Sequence, residues 1–155
     1  MNNLEKQNLY TEANAFYELA ECGRKNIPEA KSVETCIPYI VNMTFAIELY
    51  LKLLLANNGK TIDELKNIGH NLYFLYNALE DTQKKEIYQK FKRPLIYKIP
   101  DEIYSISSAF LDWRYLVLNK ANHNNKKLCV KPFFIKELVE VLSVMCKTVL
   151  KNNRK

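Results

Sequence analysis

The chain has 155 residues, 48% hydrophobic and 26% charged, a composition that fits one globular domain and excludes a disordered polymer. Three glycines and five prolines leave few breaks, so long elements are favoured. The formal charge of +6 permits contact with phosphates without demanding it, because a chain crowded with Lys, Asn and Ile reaches that charge by composition alone.

No strand-like alternation of useful length occurs, and helical periodicity runs through almost the whole chain. Leu9, Ala13, Phe16, Tyr17 and Ala20 recur at helical spacing and predict a first helix over 3–22, with Gly23 able to stop it. A second helix is expected from about Glu29 to Asn57, ending at Asn58-Gly59, with Pro38 bending it or marking its real start. Its stretch "IPYIVNMTFAIELYLKLLLA" is long enough to span a bilayer, but Pro38, Asn42, Glu48 and Lys52 would be costly there. A helix surrounded by other helices fits better, so no membrane is expected, and Glu48 and Lys52 stand i,i+4 in the favourable order.

"TIDE" at 61–64 reads as a capping box with Thr61 as N-cap and Glu64 reaching back, opening a short helix that ends by Gly69. "HNLYFLYNAL" begins another, with Leu72, Leu75, Tyr76 and Leu79 on one side, and "EDTQKKEIYQKF" adds an amphipathic turn or two before Arg93-Pro94. Residues 93–101 read as a loop. From about 101 to 120, Ile103, Ile106, Phe110, Trp113 and Val117 form a seam in a third long helix. "ANHNNKK" is a polar loop, and Pro132 sits where a helix can restart. Ile135, Leu138, Val139, Leu142, Met145, Cys146 and Val149 line one face of the last helix, after which 151–155 read as a basic, frayed tail. The expectation is one all-α domain over 1–150, an up-and-down bundle of four long helices with short extra helices between the second and third.

Cys22, Cys36, Cys129 and Cys146 form no C-x-x-C, and two histidines give no Cys/His zinc spacing, so neither a metal nor another cofactor is expected. "MNNLEKQNLYTEA" lacks the apolar core of a signal peptide, which predicts a cytoplasmic protein with reduced thiols.

Arg114 stands beside Trp113 at the edge of the seam, where a guanidinium needs a partner. Glu48 is the candidate for an Arg114–Glu48 ion pair between helices; the alternative is that Arg114 serves a ligand or catalytic site. His123 lies nine residues on, about 13 Å further along a continuous helix, so the two meet only by a fold-back or across a dimer. Otherwise His123 is a surface loop residue. His70 opens "GHNL" and would cap or buttress the following helix through a backbone group, or act as a general base. Lys120, Lys126, Lys127 and Lys131 flank the Asn-rich loop and, with Arg114, could hold an RNA or nucleotide phosphate.

Three segments, "NMTFAIELYLKLLLANNG" at 42–59, "GHNLYFLYNAL" at 69–79 and "AFLDWRY" at 109–115, resemble in order and spacing the HEPN superfamily (higher eukaryote and prokaryote nucleotide-binding domains), over roughly residues 1–150. The resemblance implies a helical bundle that often homodimerises. It also implies a setting in stress, phage defence or a toxin–antitoxin pair, with an antitoxin or nucleotidyltransferase-type partner. Active members are metal-independent ribonucleases with an arginine and a histidine separated by four to six residues. Here the arginine matches Arg114, but Asn119, Lys120 and Ala121 occupy the histidine positions, and His123 leaves eight residues between. Asn119 can orient a phosphate but cannot exchange a proton as imidazole does. The expected function is therefore a non-catalytic or degenerate dimerising module that binds a protein partner, nucleotide or RNA. The alternative is an endoribonuclease toxin using Arg114 with His123 or His70.

Overall fold

A computed structural model describes residues 1–25, 33–92, 98–107 and 132–153, and among them every regular element is a helix. The chain is all-α, as the periodicity predicts. In chain order the helices are α1 Asn3–Lys25, α2 Val33–Asn57, α3 Ile62–Ile68, α4 Leu72–Asn77, α5 Asp81–Lys90, α6 Ile99–Ser105 and α7 Pro132–Asn152.

The three long helices pack on one another with α2 in the middle. Met43, Ile47, Tyr50, Leu51, Leu53 and Leu54 are all fully buried, so α2 hides nearly its whole circumference. At about 1.5–3 kcal/mol per buried large apolar side chain, this helix carries the largest share of the hydrophobic driving force. Ala13 and Ala20 let α1 approach closely, Phe16 meets Phe45 edge-on at 4.4 Å, and Ile135, Leu138, Leu142 and Cys146 seal the α7 side. The stretch Ile37–Asn57 is long and apolar enough to cross a membrane, yet 78% of it is buried inside the bundle, so its apolar surface is already covered.

Local signals set most of the ends. Asn2 caps α1 reciprocally: its Oδ1 accepts from the Glu5 N–H at 2.8 Å, while its own N–H donates to Glu5 Oε2 at 2.7 Å. At the end of α2, the Lys60 N–H donates to Leu55 O and the Gly59 N–H to Ala56 O, a Schellman closure that places Gly59 at φ 93°. The capping box at α3 has the expected form, with the Glu64 N–H donating to Thr61 Oγ1 at 3.2 Å and the Thr61 N–H to Glu64 Oε2 at 2.8 Å.

Four expectations need correction. Helix α1 runs through Gly23 to Lys25, because Gly23 is not among the positive-φ glycines and so makes no left-handed cap. The presumed loop over 93–101 already turns helical at Ile99, with Pro100 in the first turn, where a missing N–H is harmless. The long helix expected over 101–120 does not run unbroken: α6 stops at Ser105, and Ile106 and Ser107 form a turn closed by Ile103 O and Tyr104 O. Ser105 Oγ donates to Glu102 O at 2.7 Å, and Ser107 O accepts the Leu72 N–H, so backbone groups are diverted from the helical pattern. Residues 108–120 lie outside the described residues. Finally, 151–153 are not a frayed tail. Helix α7 continues to Asn152, and Asn153 ties three helix ends together: its Nδ2 donates to Asn57 Oδ1 at 2.9 Å, and its carbonyl accepts from Asn3 Nδ2 at 3.3 Å.

Candidate functional site

Glu48 is 1% exposed, on a helix that is otherwise apolar at this level. Taking a carboxylate out of water is costly, so it must gather donors. Two reach it. Lys52, one turn later on α2, places Nζ 2.8 Å from Glu48 Oε1, and His70 places Nδ1 2.8 Å from the same oxygen. Glu48 Oε2 is buried with no hydrogen-bond partner among the described residues.

His70 reaches α2 because of the turn between α3 and α4. Gly69 closes α3 at φ 75°, ψ −135°, a conformation that side-chain-bearing residues rarely adopt, and its N–H donates to Leu65 O. Asn71 then caps α4, its Oδ1 accepting from the Phe74 N–H at 3.1 Å. Asn71 supplies a backbone-bonding cap at this end, and the imidazole bonds a side chain 22 positions earlier. Leu65, Leu72 and Leu75 bury the inner faces of α3 and α4, and Leu72 donates its N–H to Ser107 O at 3.1 Å, fixing the turn against the end of α6.

An ionised carboxylate only accepts, so His70 donates to Glu48 through Nδ1–H. The His70 side chain is 53% exposed while its anchor is buried. A carboxylate that fixes tautomer and ring orientation behind a solvent-facing imidazole suits a general base or a phosphate-oriented hydrogen-bonding group.

Of the other predicted site residues, Arg114, Asn119, Lys120, His123, Lys126 and Lys127 lie outside the described residues, as does Lys131. The structure joins Glu48 to Lys52 and His70. Lys52 was legible as the i,i+4 partner, whereas no local rule links positions 48 and 70. One buried acid escaped the sequence reading: Glu102 is 7% exposed on α6, on the same face as Ile99, Ile103 and Ile106. The signal was its place in that apolar i, i+3, i+4, i+7 pattern.

A second polar cluster gathers where the end of α1 meets α2 and α7. Glu21 Oε2 is 3.2 Å from Arg24 and 3.3 Å from Lys136. Burial, and next the Glu21 charge, push the Tyr39 phenol up to about 12, and burial with the neighbouring Glu140 and Glu21 charges raises Tyr17. These charges neutralise one another between α1 and α7, which makes the cluster a tie between elements. Among the described residues no group of three His, Cys, Asp or Glu side chains is placed to hold a metal ion. Comparison with family models, with curated proteins and with solved structures gave no match.

Proposed function

We propose that this chain is a HEPN-like helical module without ribonuclease activity of its own, which dimerises and binds a protein partner, a nucleotide or RNA in a stress or phage-defence setting. The observation that carries the non-catalytic reading is the run after Arg114. The positions that would supply a histidine, with four to six residues between them and Arg114, hold Asn119, Lys120 and Ala121, none of which transfers a proton near neutral pH. The all-α packing around α2 is compatible with such a module, and the +6 charge with phosphate contact.

The His70–Glu48 pair favours one second reading, a metal-independent endoribonuclease toxin. His70, or His123, would take the proton from a ribose 2′-hydroxyl as that oxygen attacks the adjacent phosphorus. The 5′-oxygen would leave with a proton from solvent, giving a 2′,3′-cyclic phosphate and a 5′-hydroxyl. Arg114 would stabilise the charge that develops on the phosphate.

Incubation of the protein with total RNA in excess chelator, beside Arg114→Ala, His70→Ala and His123→Ala, separates the two. The proposal expects intact RNA in every lane and an RNA affinity that falls steeply with salt. Cleavage by wild type that is lost in Arg114→Ala and in one histidine variant would overturn it in favour of the toxin.

A further inference from the structure

The end of α2 combines a helix closure with a chemically labile dipeptide. Asn58-Gly59 is the one Asn-Gly pair in the sequence, since the other two glycines follow Cys22 and Ile68. Gly59 holds φ 93° in the closure, a conformation that residues with a Cβ rarely adopt, so the geometry calls for glycine here. A glycine also leaves its own nitrogen unshielded toward the preceding side chain. In an Asn-Gly pair that nitrogen can attack the asparagine Cγ. The N–Cγ bond forms, the Cγ–Nδ2 bond breaks, ammonia leaves, and the backbone proton passes to base in the solvent. Water then opens the succinimide at either carbonyl, giving aspartate or isoaspartate, with no oxidant, reductant or second protein required. Asn58 and Gly59 are both exposed, so water and hydroxide reach them.

The fold restrains each reacting group. The Gly59 N–H donates to Ala56 O at 3.2 Å, which holds its proton and aims it back into the last turn of α2. The Asn58 N–H donates to Leu54 O and Leu55 O, which keeps the backbone at this position on the helical path. The Asn58 side chain is clasped by Gln83 in the first turn of α5. Asn58 Nδ2 donates to Gln83 Oε1 at 2.7 Å, and Gln83 Nε2 donates to Asn58 Oδ1 at 3.3 Å. Rotation of Cγ toward the Gly59 nitrogen breaks this clasp. Gln83 is itself held, because its Oε1 also accepts the Glu80 N–H at 3.2 Å in the capping box of α5.

We propose that Asn58 is a deamidation site guarded by Gln83, closed in the intact fold and open when the end of α2 and the start of α5 part. Conversion then runs one way. A carboxylate at position 58 only accepts, so the bond to Gln83 Oε1 is lost. It also sets a negative charge at the C-terminal end of α2, where the helix dipole opposes it. Isoaspartate adds a methylene to the main chain before Gly59, which upsets the spacing behind the bond from the Lys60 N–H to Leu55 O. The modified chain holds α5 less firmly than its parent, so the site records past opening of this end of the bundle. The proposal is independent of the function given above.

The test follows Asn58 in warm, mildly alkaline buffer by peptide mapping that separates the asparaginyl, aspartyl and isoaspartyl forms. Wild type unfolded in guanidinium should convert at the rate of a free peptide of residues 57–61. Folded wild type should convert about tenfold or more slowly, because reaction proceeds only through the opened state. Gln83→Ala should convert about three- to tenfold faster than folded wild type, the factor that loss of a hydrogen bond gives the opened state. Gln83→Glu keeps the acceptor for the Glu80 N–H but lacks the donor to Asn58 Oδ1, so its rate should lie between the two. Circular dichroism checks that both variants stay helical, and Gln83→Glu decides alone if Gln83→Ala does not. Folded wild type converting as fast as the unfolded chain would overturn the proposal. So would an unfolded chain that keeps Asn58 intact, or folded Gln83 variants that both convert at the wild-type rate.

Discussion

Replacing Glu48 by methionine tests whether the buried carboxylate holds the fold together or holds the imidazole in place. Methionine matches the chain length of glutamate and fits irregular apolar space, so no large cavity opens. The substitution removes two charge-assisted hydrogen bonds, to Lys52 and to His70, both at 2.8 Å. Each such bond contributes about 1.5–3 kcal/mol. Against that loss stand two gains. The desolvation of the carboxylate disappears, including that of Oε2, which has no hydrogen-bond partner among the described residues and is a group of the kind that costs about 1–3 kcal/mol. In addition, both partners regain water, since His70 is already half exposed and the Lys52 stem can swing outward.

Buried ion pairs replaced by packed apolar side chains are often neutral or stabilising for these reasons. Glu48→Met should therefore fall between about 1 kcal/mol less and about 2 kcal/mol more stable than wild type. For a chain of this size that is a melting shift of about −4 to +8 °C. Glu48→Ala, which leaves a void beside Leu51 and Lys52, should lose about 2–4 kcal/mol. Urea titration at neutral pH gives both numbers. Nitrogen-15 spectra of the His70 ring should show its fixed Nδ1–H tautomer in wild type and a mixture in Glu48→Met. A loss above about 3 kcal/mol in Glu48→Met with an unchanged urea slope would refute the reasoning, because the carboxylate would then be a net stabiliser of the fold.

The capping box gives an acid-side prediction. Lys60, followed by the Thr61 N–H and hydroxyl, holds the Glu64 carboxyl at about 2, below its ordinary 4.5. Its support of α3 is therefore complete above pH 4.5 and fades as pH falls from there toward 2; a carbon-13 titration midpoint for Glu64 near 4.5 would contradict this. On the alkaline side, Tyr39 is raised from 10.0 to about 12 by burial and then by Glu21, and burial raises Tyr50 as well. The folded state keeps these protons longer than the unfolded chain, so stability is full below pH 10 and declines as pH rises toward 12. Phenolate absorbance from Tyr39 and Tyr50 should appear together with loss of helical signal, and ionisation at pH 10 in a folded chain would count against it. Burial also raises the Cys146 thiol, whose Sγ lies 3.4 Å from Tyr50 O. Peptide mapping after brief alkylation should find Cys22 modified and Cys146 protected until unfolding, and equal labelling of the two would refute the placement.

Signals that act within one turn were readable in the sequence. Thr61 and Glu64 are three residues apart and satisfy each other, so the start of α3 depends on nothing distant. The same holds for Asn58-Gly59 after α2 and for the inner stripe of α7 from Ile135 to Val149. Misreadings arose where a partner from elsewhere decides the outcome. Gly23 suggests a stop, but packing of α1 along α2 outweighs a glycine penalty of about 1 kcal/mol. The seam through Ile103 and Ile106 suggests continuity. The Leu72 N–H, 35 positions earlier, claims Ser107 O and takes part in ending α6. Asn153 likewise reads as tail until Asn57 and Asn3 are seen to bond it.

The candidate site shows the same division. An acid in the middle of an apolar helix announces that it needs a cation, and that much is elementary electrostatics. Which cation answers is a matter of topology. Lys52 qualifies by helical spacing and Arg114 by chemistry, while His70 qualifies only once Gly69 bends the chain through a positive φ. Lys52 alone would have sufficed for an exposed helix pair, a contact that contributes about 0.3–0.5 kcal/mol. Burying the carboxylate to 1% exposure and leaving one oxygen without a hydrogen-bond partner among the described residues adds a desolvation burden that such a pair does not offset. What the burial does supply is direction: the carboxylate sits on the deeply buried α2 and orients an imidazole that is half exposed. A group that carries a desolvation cost while fixing the orientation of a neighbour is a candidate for a site as well as for a strut. Glu48 is therefore the position at which stability and function should separate.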